Sequence, residues 1–183
     1  MARKLKEQYE KWGLTMNLEE TKYICIVEEK ESLKIDSGEE IKPSTECSTY
    51  LGTKIDQTGD NTTEIKHRIS QTRRAINALN SIWWHKDITK NRKLYIYQTI
   101  NQSILMYGAE VWQIPTREIN KILSAVMDVL RRSARKSRME RIPNEYIKEI
   151  MGLKEKLDSI DNIERKRLQW YGQVKRMQDE RLS

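Results

Sequence analysis

The hydrophobic pattern changes period along the chain, and the change divides it into a front and a rear. Over residues 2–12, Leu5, Tyr9 and Trp12 recur at helical spacing between charges and Gly13 follows as a C-cap, which predicts one amphipathic helix. Residues 23–27, 33–36, 39–42 and 47–56 are short runs separated by Ser37-Gly38 and by Pro43-Ser44-Thr45, so a small antiparallel sheet is expected. The last run, CSTYLGTKID, carries Gly52 in its middle and reads as one strand that bends or lets another backbone come close.

Beyond Gly59-Asp60 the spacing becomes helical. Asn61 as N-cap with Glu64 at N3 predicts a capping-box start, and Ile65, Ile69, Thr72, Ile76, Leu79 and Trp83 carry a bundle seam to about residue 84. Lys66, Arg73, Asn77 and Asn80 share one flank of that helix, and Arg68 lies on the other. Residues 91–112 are apolar nearly all round, the mark of a buried central helix, with Gly108 expected to permit a close helix crossing. Pro115-Thr116 opens a third helix through Leu130, built on Ile119, Ile122, Leu123, Val126 and Met127.

Pro143 starts a brief helix closed by Gly152, and a final helix over residues 157–177 sets Ile160, Ile163, Trp170, Val174 and Met177 against Arg165, Gln169, Gly172 and Arg176. Gly172 at the centre of that polar face suits either close approach of a sugar-phosphate backbone or a helix crossing. The pattern as a whole predicts an α+β chain, mostly α, with the sheet in front and a helical bundle behind.

Charge sharpens this division. The 183 residues contain 34 Lys plus Arg against 27 Asp plus Glu, a net charge of +7. Residues 1–61 hold 9 basic and 13 acidic side chains, whereas residues 131–183 hold 15 and 9, so an acidic front meets a basic rear. Within the rear, RRSARKSRMER (Arg131, Arg132 and Arg135 foremost) is dense enough to contact phosphates; a nuclear targeting signal and a solvated linker are the rival readings. No stretch is apolar and long enough to cross a membrane, and the start lacks the core of a signal peptide, so an intracellular protein, nuclear or cytoplasmic, is expected. Cys25 and Cys47 lack His neighbours or Cys-x-x-Cys spacing and read as buried thiols.

Four segments in order, GLTMNLEETKYI (residues 13–24), CSTYLGTKID, LYIYQTINQSILMYGAEVW (residues 94–112) and IERKRLQWYGQVKRM (residues 163–177), resemble the C-terminal part of the reverse transcriptase of non-LTR, LINE-like retrotransposons. The resemblance covers nearly the whole chain. It implies that residues 1–60 are the end of a polymerase palm, with Tyr50, Leu51 and Gly52 as its primer grip. Residues 61–134 would then be a thumb-like bundle and residues 135–183 a basic helical extension.

It also implies an RNA template and a DNA primer as partners, the N-terminal part of the polymerase as another, and neither a membrane nor a small-molecule substrate. The family's metal-binding aspartates lie in segments that none of this chain's acidic pairs matches, so the chain alone is expected to be catalytically silent. Mg²⁺ would belong to a complete polymerase and no cofactor to this chain. In the closing palm segment the family has Lys where this chain has Glu20, which leaves Lys22 as the nearby candidate for a leaving-group acid beside its reading as a solvated strand face. Lys66, Arg73, Arg131, Arg132, Arg135, Arg165 and Arg176 are the candidate nucleic-acid contacts. A decayed or domesticated retrotransposon product acting as a helical protein-interaction module is the alternative.

Overall fold

The structure, a computed structural model, describes residues 2–17, 19–25, 33–36, 39–41, 47–153 and 159–177. The chain is α+β and mostly α, in the order α1 (Ala2–Lys11), β1 (Leu33–Asp36), β2 (Glu39–Ile41), β3 (Cys47–Tyr50), β4 (Thr53–Asp56), α2 (Thr62–Ala78), α3 (Asn80–Trp84), α4 (Lys90–Ile96), α5 (Ser103–Leu105), α6 (Thr116–Ser133), α7 (Asn144–Ile150) and α8 (Ser159–Val174). It divides into two compact units, Met1–Thr63 and Glu64–Ser183.

In the first unit α1 ends as its sequence dictates. Gly13, at φ 69°, donates to Glu10 O and Leu14 donates to Tyr9 O, the paired bonds of a Schellman cap. Its apolar stripe is not covered, however: Leu5, Tyr9 and Trp12 are exposed, Trp12 by 81%. The strands depart from expectation in three ways. Among the described residues they form two separate antiparallel pairs, β1 with β2 and β3 with β4. Of the strand expected over residues 23–27, Tyr23 makes an isolated bridge, Ile24 and Cys25 lack regular structure, and Ile26 and Val27 lie outside the described residues, as does Lys42 of the second hairpin strand. Most consequentially, residues 47–56 are a hairpin and not one bent strand, with Tyr50 opposite Thr53 and Leu51-Gly52 as its turn. Cys25 and Cys47 are half-buried and joined in no disulfide among the described residues.

Asp56, at the end of β4, ties this hairpin to the loop and the first residues of α2. It accepts from the Thr58 N–H (3.1 Å) and hydroxyl (2.5 Å) and from the Thr63 hydroxyl (2.5 Å). The two side-chain hydroxyls, Thr58 first, hold its carboxyl below the usual carboxylate range. Asp60 Oδ1 then accepts the Thr62 N–H (2.8 Å) at the start of α2.

The second unit is built around one cluster in which Ile65, Ile69, Ile76, Trp83, Leu94, Leu105, Trp112, Ile122, Val126 and Leu130 are buried and to which Ile147, Met151 and Ile163 of the last helices also belong. The helix expected to reach residue 84 breaks at Leu79. The Trp83 indole fills the break by donating to Ile76 O (2.9 Å), a carbonyl of the kind a helix end leaves open. Lys93 does the same for two other ends: its buried Nζ donates to Trp83 O (2.6 Å) and Ser133 O (3.4 Å), at the C-termini of α3 and α6. Burial pulls its pKa below the ordinary lysine value, and the Arg135 charge adds to the shift.

The helix expected over residues 91–112 is interrupted too. Between α4 and α5 lies a π-helical stretch, Tyr97–Gln102, where the Thr99 hydroxyl bonds back to Tyr95 O (2.8 Å) and the Ser103 hydroxyl to Thr99 O (2.7 Å). It carries the fully buried Asn101. Gly108 lies outside the helices: at φ 70° it turns the chain after α5 into the 3-10 turn Ala109–Val111. This turn delivers Trp112 to the core beside α8.

Candidate nucleic-acid interface

At the β3–β4 hairpin, Leu51 has φ 47° and Gly52 φ 80°. Two consecutive positive φ angles are the signature of a type I′ turn, whose twist matches that of a hairpin and which ordinarily takes Asn-Gly or Gly-Gly. Leucine is a poor occupant: its Cβ is strained in the left-handed region. Its side chain is 75% exposed, and that of Tyr50 is 66% exposed. The expected grip residues are therefore brought together at a hairpin tip, apolar side chains outward, and not in mid-strand. Lys22 is exposed, in a segment without regular structure.

The basic candidates separate into three groups. Lys66 and Arg73 lie exposed on one flank of α2, and the structure adds Arg132 to that flank, since its Nη1 donates to Asn77 Oδ1 and Asn80 Oδ1 at 2.9 Å each. Arg68, expected on the opposite flank, is instead buried: its Nε meets Glu64 Oε1 at 2.5 Å and its guanidinium lies 4.3 Å from the centre of the Tyr107 ring. Glu64, expected as a capping residue, is wholly buried in this pair.

The RRSARKSRMER run is neither a linker nor a uniformly solvated patch. Arg131 donates to Ile142 O (2.6 Å) and Asn144 Oδ1 (2.8 Å), while Arg132 and Arg138 both reach Asp128, at 3.0 and 3.3 Å. Ser137 and Glu140 close a capping box around the turn Arg138–Glu140, and the bonds from the Ser137 N–H and Lys136 hold the Glu140 carboxyl below its usual range. Arg135 is exposed at φ 55°, the left-handed C′ position of α6, with its N–H on Arg132 O and that of Lys136 on Arg131 O.

That cap yields a prediction. Arg135→Gly should raise stability by about 1 kcal/mol, because glycine is unstrained at this position and the charge facing Lys93 is gone. A raised urea midpoint with unchanged slope would show it; a lowered midpoint would mean that the arginine side chain, and not the backbone, decides the site.

On α8, Arg165, Gln169 and Arg176 are exposed along one face. Arg165 Nη2 donates to Asn162 Oδ1 (2.9 Å), a local bond that leaves most of its donors outward. A Cβ at Gly172 would meet no atom within 4 Å, so among the described residues no helix crosses there. The other side of α8 is equally informative. Together with Glu110, Val111, Trp112 and Gln113 it lines a cavity of about 530 Å³ to which it contributes Glu164, Arg167, Leu168, Trp170, Tyr171 and Val174. Trp112 is fully buried there, its indole N–H without a partner among the described residues.

Sequence reasoning missed this aromatic cavity, because Trp170 and Val174 read as core positions. It also missed the polar stripe Asn120, Ser124, Asp128 and Arg131 on α6, whose four-four-three spacing was available as a signal. Among the described residues no three of His, Cys, Asp and Glu gather to hold a metal ion, so the Mg²⁺ of a complete polymerase is assigned no ligands here. No helix of the described residues is long and apolar enough to cross a membrane. Comparison with family models, curated proteins and solved structures finds no match to this chain.

Proposed function

We propose that this chain contacts nucleic acid as the palm-end and thumb-like part of an RNA-directed DNA polymerase of the LINE-like retrotransposon kind, holding primer and template while chemistry takes place on residues it does not supply. The observation that carries the reading is the hairpin tip. An exposed leucine held in the left-handed region, beside an exposed tyrosine, is unfavourable for both backbone and solvation, the pattern of a residue kept for contact. It coincides with the Tyr-Leu-Gly at which the resemblance puts the primer grip. The basic, unobstructed face of α8 supports a phosphate-rich partner.

The test is Leu51→Asn, which suits a type I′ turn. It is expected to stabilise the chain by about 0.5–1 kcal/mol while weakening binding of a recessed RNA:DNA primer-template more than binding of a blunt duplex. Equal affinity for both substrates before and after the substitution would sink the grip assignment. A second reading, a helical module of a decayed or domesticated element that binds a protein, is favoured by one feature, the aromatic cavity of Trp112, Trp170 and Tyr171.

A further inference from the structure

Five exposed side chains follow one another along α2 and the start of α3 at four-three-four-three spacing: Lys66, Ser70, Arg73, Asn77 and Asn80. That spacing puts the first four on one face of α2, and a shared contact with Arg132 brings Asn80 beside Asn77. The row holds no carboxylate. Lys66, Ser70 and Arg73 have no hydrogen-bond or ion-pair partner among the described residues. The two asparagines, by contrast, are held from behind. Arg132 Nη1 donates to Asn77 Oδ1 and Asn80 Oδ1 at 2.9 Å each, while its Nη2 is anchored on Asp128 Oδ2 at 3.0 Å. The other Asp128 oxygen is met by Arg138 at 3.3 Å, so this carboxylate is engaged on α6 and does not compete for the row.

A guanidinium carries donors and no acceptor, so it meets the oxygen of each carboxamide and turns each Nδ2 the other way. An asparagine left to itself presents either end; these two present N–H groups only. Every member of the row can therefore donate, two of the five are cations, and only the Ser70 hydroxyl can also accept. Cations interleaved with neutral donors along one helix face suit a partner that is negative and repeats its oxygens at a fixed interval. We propose that this row docks one sugar-phosphate strand of a nucleic acid, Lys66 and Arg73 on phosphates and the Asn77 and Asn80 amides on strand oxygens beside them. Arg132 is the positioning residue: it acts through the two amides and not on the strand. The identity of the strand rests on the proposed nucleic-acid function; the outward aim of the amides rests on Arg132 alone.

The test separates charge from aim by measuring RNA:DNA duplex affinity of the full chain against salt. Asn77→Ala with Asn80→Ala, at exposed positions, should weaken binding roughly tenfold, the loss of two neutral hydrogen bonds. The slope of log K against log salt should stay as it was, because an amide releases no counterion, whereas Arg73→Gln should lower that slope by about 1. Arg132→Lys keeps the charge but puts a point charge where a planar fork bridged two carboxamides. It should weaken binding with the slope unchanged, and adding it to the double alanine variant should cost nothing more. A further loss there would make Arg132 a strand contact and overturn its positioning role. In the parent chain the duplex should shift the Asn77 and Asn80 side-chain amide NMR signals, a response that a purely structural role for the asparagines would not give. Duplex binding at parent affinity by the double alanine variant would overturn the row and leave the nucleic-acid reading standing on α8 and the hairpin. No duplex binding by the parent would overturn both, and binding of an acidic protein segment in its place would assign the row to a protein partner.

Discussion

Glu64→Ala is expected to cost about 3–5 kcal/mol of stability, because it takes the paired carboxylate away from a guanidinium inside the protein. The Glu64 side chain is fully buried and that of Arg68 is 9% exposed, so the pair was desolvated on folding. Arg68 also lies 4.3 Å from the centre of the Tyr107 ring and makes a long contact from Nη1 to Gln71 Oε1 at 3.4 Å. A desolvated cation over a ring contributes ~2 kcal/mol, less than the ~3–5 kcal/mol that loss of a buried carboxylate partner costs. The double variant Glu64→Leu with Arg68→Met should recover most of the loss, since two apolar side chains of similar volume need no partner. Urea unfolding decides it: a single-variant loss below ~1 kcal/mol, or a double variant no better than the single, would mean that water reaches the pair.

That pair illustrates where the sequence was readable and where it was not. Helix α6 and the buried positions Ile122, Val126, Met127 and Leu130 follow from spacing alone, because a helix with one apolar stripe announces its buried face. Arg68 does not, since nothing in a helical pattern distinguishes an arginine on a solvated flank from one turned inward onto the glutamate four residues earlier. The same limit governs the basic run. Its arginines are held by Asn77 and Asn80, more than fifty residues earlier, and by Ile142 O, eleven residues later, so charge density alone suggested a free cluster where much of the donor capacity is used internally.

The hairpin tip was missed for the opposite reason, a local signal that pointed elsewhere. Glycine inside an apolar run argues for a bulge, and a type I′ turn is recognised by Asn-Gly or Asp-Gly, which Leu51-Gly52 is not. Tyr50, Leu51 and Gly52 do lie together, but at a tight turn and not along a bent strand. Likewise Gly108 was readable as a glycine with a structural purpose, but its role is to turn the chain at φ 70° and bring Trp112 beside α8. At Gly108 the burial of Trp112 overrode the helical propensity of the surrounding run.

The arginines of α8 remain the outward ones, and their removal should have the larger effect on binding. Arg165→Gln with Arg176→Gln is expected to lower the slope of log K against log salt by about 2, each arginine releasing close to one counterion per phosphate met. Between ~50 and ~200 mM salt the parent chain would then lose roughly twelvefold more affinity than the variant. The loss should be alike for every duplex sequence tested, since backbone phosphates carry no sequence information. Arg68 cannot serve as the control, being buried with Glu64; Lys86→Gln, at an exposed position between α3 and α4, takes its place and should leave slope and affinity as they were. Neither arginine contributes to the core cluster, so circular dichroism of the double variant should match the parent. A slope unchanged in the double variant with α8 intact would remove this face from the nucleic-acid interface and shift weight to the aromatic cavity on the other side of the same helix, where a protein segment is the better fit.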